Sequence, residues 1–120
     1  MNAPPKVLIV EDEPLIAMML EDFLEDLGFS SAGSIDNVAD GVARASEGGF
    51  DLAILDVNLR GEPCWPVADK LADRGIPFVV ASGGNVFAPP DRHAGAVALV
   101  KPYKLAGVRE ALDRILTGQS

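Results

Sequence analysis

The chain has one cysteine and one histidine in 120 residues. A single cysteine closes no internal disulfide and suits a reducing, cytoplasmic setting. Together with one histidine it also cannot furnish the ligands of a zinc site. Basic residues are scarce, 10 Lys and Arg against 18 Asp and Glu, for a formal charge of -8. A surface of that sign repels phosphate backbones and anionic lipid, which excludes nucleic acid and membrane surfaces as expected partners. Long apolar runs are missing too: Val7 to Val10 is cut off by Glu11-Asp12-Glu13. That run is far short of the ~20 residues that span a bilayer and of the about 7–15 in a signal-peptide core. Internal repeats and low-complexity tracts are absent. What is present is a 48% apolar composition, enough for one core in a single domain, 1–120. Its body covers about 6–116, between ends that read as frayed.

Lys6 to Val10 reads as a buried strand because it is continuously apolar and β-branched rather than alternating. Pro14 opens a helix with Ile16, Met19, Leu20, Phe23, Leu24 and Leu27 on one face, and Gly28 closes it. Phe29 to Ser34 is a weaker strand, and Asp36 is placed to cap a second helix carrying Val38, Val42 and Ala45 inward. Asp51 to Asp56 is a third strand, followed by a polar loop from Asn58 to Pro63 and a helix holding Val67, Ala68 and Leu71. Pro77 to Ala81 and Ala96 to Val100 are further strands. Residues 82–95, rich in Gly and Pro, predict a loop with at most one helical turn. Leu105, Val108, Leu112, Ile115 and Leu116 mark a last helix. Strand and helix alternate, which implies an α/β, doubly wound parallel sheet with helices on both faces.

All strand C-termini then share one edge, where open α/β sheets bind ligands. Glu11 and Asp12 end the first strand, Asp56 the third, Ser82 follows the fourth, and Lys101 ends the fifth. Three crowded carboxylates repel one another and call for a compensating cation. An all-oxygen ligand set selects a hard ion, best Mg2+. A divalent ion beside a lysine suits phosphoryl transfer, and a carboxylate can itself accept the phosphoryl group. Asp56 is the candidate nucleophile, at the end of a central buried strand. Ser82 and the amides of Gly83 and Gly84 are candidate ligands of phosphoryl oxygens.

The set Val10-Glu-Asp-Glu-Pro14, Leu55-Asp-Val-Asn-Leu59, Ala81-Ser-Gly83 and Lys101-Pro102 resembles the receiver domain of two-component response regulators over nearly the whole chain. The resemblance implies a flavodoxin-like (βα)5 fold of five parallel strands in the order 2-1-3-4-5. It implies that Asp56 is phosphorylated by a histidine kinase or histidine phosphotransfer protein. Glu11, Asp12, Asp56 and the Asn58 backbone carbonyl would hold Mg2+, Ser82 would be the switch hydroxyl, and Lys101 would contact the phosphoryl group. A cis bond before Pro102 is implied as well. Asp56-Val-Asn-Leu-Arg-Gly-Glu62 and Arg74 to Gly83 are further similar to the stand-alone FATGUY subgroup, in which the fourth helix is short or absent. Here Val80, Ser82 and Asn85 replace that motif's Phe, Thr and Tyr.

Such a protein would signal by contact with a downstream protein target, or serve as a phosphate relay or sink, as a monomer or weak dimer. It would turn over no separate substrate and so is not expected to be an enzyme. Most receivers carry an aromatic residue three positions before the lysine, and this chain has Ala98. Re-packing of 83–95, with Phe87 as a substitute aromatic, is the expectation in its place. Leu15 and Met18 on the first helix are candidate contacts of the phosphodonor, and Arg60 a candidate modulator of phosphoryl lifetime. His93 reads as a surface loop residue, Cys64 and Trp65 as packing over a helix end, and Tyr103 as either packing or partner contact. Three competitors stand beside this reading. An aspartyl-phosphate phosphohydrolase would need an aspartate where Asn58 stands. A non-phosphorylated pseudo-receiver would not need the full acidic set. A nucleotide- or flavin-binding protein would place phosphate at a first βα turn that here is acidic and lacks glycine.

Overall fold

The computed structural model describes residues 4–82 and 89–117. Its elements are β1 (Lys6–Val10), α1 (Pro14–Asp26), β2 (Ser30–Ile35), α2 (Val38–Glu47), β3 (Leu52–Asp56), β4 (Asn58–Leu59), β5 (Glu62–Pro63), α3 (Trp65–Asp73), β6 (Phe78–Ser82), a 3-10 turn (Asp91–His93), β7 (Val97–Val100) and α4 (Leu105–Leu116). The main sheet has the order β2-β1-β3-β6-β7, and every neighbouring pair in it is parallel. With the short strands β4 and β5 set aside, this is the expected 2-1-3-4-5 order of the flavodoxin-like fold.

Parallel strands sandwiched between helices must bury both of their faces. β1 accordingly divides its side chains by parity. Val7 and Ile9 enter one core with Leu20, Leu24, Val108 and Leu112 of α1 and α4. Leu8 and Val10 enter the other with Val67, Ala68 and Leu71 of α3. α1 follows its apolar pattern: Leu20 and Leu24 are buried, and Ile16, Met19, Phe23 and Leu27 pack against the same core. β2 is the serine-rich edge strand, and its register against β1 shifts between Val7 and Ile9.

Two local expectations change. The cap of α2 is Asn37, whose Oδ1 accepts a 2.8 Å bond from the Asp40 amide. Asp36 instead pairs with Arg60 at 2.7 Å, so the nearer of two capping residues takes the helix end. The segment from Asn58 to Pro63 is not an irregular loop but a tight antiparallel hairpin, pairing Asn58 with Pro63 and Leu59 with Glu62. Arg60 and Gly61 form its turn with φ of 51° and 83°. A two-residue turn with both φ values positive matches the twist of a hairpin, and buried Leu59 pins it to the core. Between β6 and β7 the described part contains the single 3-10 turn at Asp91–His93, in keeping with a fourth helix reduced to one turn. The expectations for Gly83, Gly84 and Phe87 lie outside the described residues.

Candidate functional site

β1 and β3 lie side by side with Val10 opposite Leu55, so the residues that follow Val10 and Leu55 meet at the sheet edge. Asp56 ends β3 at 6% exposure and Glu11 follows β1 at 2%. One carboxylate oxygen each from Glu11, Asp12 and Asp56 lies within 4.8 Å of the others. β7 delivers Lys101 to the same place, its Nζ 2.7 Å from Asp56 Oδ2 and 3.3 Å from Glu11 Oε1. The Lys101 amide donates to the Ser82 carbonyl at 3.2 Å, which joins the ends of β6 and β7. Ser82 ends β6, partly buried, one residue past Ala81, which is registered with Asp56. The Lys101-Pro102 bond is cis, as the resemblance implied. The geometry therefore brings together Glu11, Asp12 and Asp56 with Lys101, and places Ser82 on the same edge. Asn58 lies two residues beyond Asp56, and its amide donates to Asp56 Oδ1 at 3.3 Å.

Burial, and next the charge of Asp56, push Glu11 from 4.5 up to about 7. Burial also acts upward on Asp12, but hydrogen bonds from the Arg60 amide and from Glu11 outweigh it and hold that carboxyl below its usual value. Lys101 is drawn down by burial and more strongly up by its hydrogen bond and charge contact with Asp56, so it stays an ammonium. Glu11 Oε1 is buried and accepts no hydrogen bond. Its 3.3 Å approach to Lys101 is an ion-pair contact without hydrogen-bond alignment. An orphaned buried oxygen among three converging carboxylates fits a hard divalent cation such as Mg2+. Glu11, Asp12 and Asp56 would hold it.

The hairpin has a part in the site that its residue types do not announce. The Arg60 amide donates to Asp12 Oδ2 at 2.9 Å, while the guanidinium is occupied by Asp36, through Oδ2 at 2.7 Å and the carbonyl at 3.2 Å. Arg60 thus orients Asp12 through its backbone, and its side chain anchors to the β2–α2 connection. The Arg-Gly pair was the available signal, as a turn that needs positive φ.

His93 corrects the sequence reading. It is 4% exposed, stacked on Trp65 with ring centroids 5.7 Å apart and planes at 15°, edge-on to Phe78, and 2.6 Å from Asp69 Oδ1. Arg92 adds an ion pair with Asp73. These contacts fasten the 3-10 turn to α3, which is why a histidine from a breaker-rich segment is buried. Cys64 is fully buried; burial, then the charge of Asp56, push its thiol up to about 12, so it stays an inert packing group. Tyr103 is buried in the core shared with α1 and α4, which places it with packing. Leu15 and Met18 stand out from α1 at 78% and 59% exposure.

Comparison with known proteins agrees with this geometry. A family model described as the response regulator receiver domain matches residues 7–113. The solution structure of SdrG from Sphingomonas melonis Fr1 is 53% identical, with a TM-score of 0.83, covering 97% of this chain and 99% of that one. The receiver domain of the sensor histidine kinase PA1611 from Pseudomonas aeruginosa, solved with magnesium coordinated in its active-site cleft, shares the fold at 23% identity and a TM-score of 0.77, covering 93% of this chain and 97% of that one. The transcriptional regulatory protein PdtaR of Mycobacterium tuberculosis is 33% identical over 117 residues, 92% of this chain and 56% of that protein. The chain thus spans about half the length of that curated relative. With the family match covering nearly all of its sheet and helices, this chain belongs to the response regulator receiver domain family.

Proposed function

We propose that the chain accepts a phosphoryl group on Asp56 from a histidine kinase or histidine phosphotransfer protein, in a Mg2+-dependent reaction. The observation that carries the reading is the buried Asp56 carboxylate held 2.7 Å from the Lys101 ammonium, with Glu11 and Asp12 converging on it. In the reaction an Asp56 carboxylate oxygen forms the new O–P bond as the donor's P–N bond breaks, and the departing imidazole takes up a proton. Lys101 neutralises the carboxylate before transfer and a phosphoryl oxygen after it. Ser82, at the same edge, donates its hydroxyl to a phosphoryl oxygen. Mg2+, when bound, supplies the charge that lets a dianionic phosphoryl group approach three carboxylates.

Membership of the receiver family supports a protein that signals by contact with a downstream protein or works as a phosphate relay or sink. It turns over no separate substrate. Among the described residues no helix is long and apolar enough to cross a membrane. Acetyl phosphate with Mg2+, followed by intact mass, tests the reading. A single adduct of ~80 Da, lost in Asp56→Asn and in EDTA, is the expected result for an acyl phosphate; an adduct that survives Asp56→Asn overturns it. Exposed Leu15 and Met18 near this edge form the phosphodonor contact. Met18→Glu is expected to slow transfer from a phosphodonor protein and leave acetyl phosphate uptake unchanged, and equal slowing of both would refute that contact.

A further inference from the structure

The residue three positions before Lys101 is Ala98, an exposed position of β7. No ring from that position can flank the ammonium. Tyr103, two residues beyond Lys101, approaches it instead, with Nζ 5.8 Å from the centroid of its ring. The ring is 6% exposed and fixed in the core formed with Ala17, Leu20, Leu99 and Val108. Its hydroxyl is buried without a hydrogen-bond partner, so any role of the residue toward Lys101 belongs to the ring.

We propose that Tyr103 is the positioning residue of Lys101, its ring face holding the ammonium between Asp56 and Glu11 where an incoming phosphoryl group must be met. This rests on the phosphoacceptor reading of Asp56. A lysine head sits on a flexible four-carbon stem with three rotatable donors, so it needs walls to be aimed. Two of its walls, Asp56 at 2.7 Å and Glu11 at 3.3 Å, are carboxylates. The first of these changes its charge distribution when it is phosphorylated. The aromatic wall takes no part in the chemistry and offers the same attraction before and after transfer. A competing position also exists. Lys101 and Tyr103 share a cavity of about 380 Å³ with Glu13, Ile16, Met19 and Pro102, room into which a released ammonium can swing away from Asp56. Tyr103 forms part of that cavity's wall.

The test uses the full chain, acetyl phosphate and Mg2+, with initial phosphorylation rates read by intact mass and Mg2+ affinity by calorimetry. Tyr103→Phe keeps the ring and is expected to stay within about twofold of the parent rate. Tyr103→Leu and Tyr103→Met keep an apolar side chain but no ring; both are expected to react about tenfold more slowly. Their Mg2+ affinity should hold or rise, because the displaced ammonium no longer competes for Asp56 and Glu11 while the carboxylates stay in place. A purely structural role would lower rate and affinity together, or leave the rate alone. Aliphatic variants at the parent rate, Phe as slow as Leu, or affinity falling in step with rate would each overturn the proposal. Should neither aliphatic variant fold, the parent chain decides by NMR: Lys101 ε-methylene protons over a ring face resonate upfield of the other lysines, and ordinary positions overturn it. A parent chain that takes up no phosphate is a failure of the phosphoacceptor reading itself, distinguishable from all of these.

Discussion

The charge state of Glu11 depends on conditions near neutral pH. Burial and Asp56 raise its pKa to about 7 from 4.5. Between those values the folded chain holds a proton that the unfolded chain has released, so stability contributed by this group is full below the unfolded value and lost as pH rises through the folded one. The metal-free protein is therefore expected to lose urea resistance between about pH 5 and about pH 8, and Glu11→Gln to flatten that slope. Mg2+ competes with the same proton, so its affinity should rise across that window. Urea midpoints in EDTA and in Mg2+ at each pH check both. Tyr103 offers a second residue-scale outcome. Its unpartnered buried hydroxyl carries a desolvation cost of about 1–3 kcal/mol, so Tyr103→Phe should not lower the thermal midpoint and is expected to raise it.

At the scale of elements, the contact of α2 with α3 leaves no room at Gly41. A Cβ added at Gly41 would come within 2.8 Å of Val67 Cγ2, and Val67 is fully buried. Gly to Ala inside a helix gains about 1 kcal/mol of propensity, while overpacking a closed core costs about 1–3 kcal/mol. The second effect wins, because a buried valine on α3 cannot swing aside. Gly41→Ala should therefore destabilise the chain by about 1 kcal/mol, and Val67→Ala in the same chain should relieve the clash; denaturation midpoints of the single and double variants test this. The β4–β5 hairpin illustrates the same scale differently. Its Arg60-Gly61 turn sets the Arg60 amide on Asp12, so a backbone turn orients an acidic side chain of the site.

For the whole molecule, a formal charge of -8 acts against compaction, and part of the repulsion is local, where Glu11, Asp12 and Asp56 meet. Monovalent salt screens the diffuse part of that repulsion over a Debye length of about 10 Å at 0.1 M. Sodium chloride is expected to raise the thermal midpoint gradually, and Mg2+ to raise it further at matched ionic strength; Mg2+ acting no better than sodium would mean that the acidic cluster binds no ion specifically. The sheet holds that cluster together because its parallel strands all end on one edge.

The alternation of buried strands and amphipathic helices, and the acidic, hydroxyl and lysine residues at the strand ends, were legible in the residues alone. They follow from local periodicity and from the rule that parallel strands point their C-termini one way. The strand order came from a family resemblance. Other features needed the folded chain, because they depend on partners distant in sequence. His93 is buried by Trp65, Phe78 and Asp69, and nothing in its own neighbourhood of breakers signals that. Asp36 gave up its cap to meet Arg60, 24 residues away. Tyr103 faces Lys101 through packing against α1 and α4. Sequence determined which groups reach the sheet edge, since strand direction is a local property; tertiary packing decided which surface each of them touches, since that depends on what the rest of the chain brings alongside.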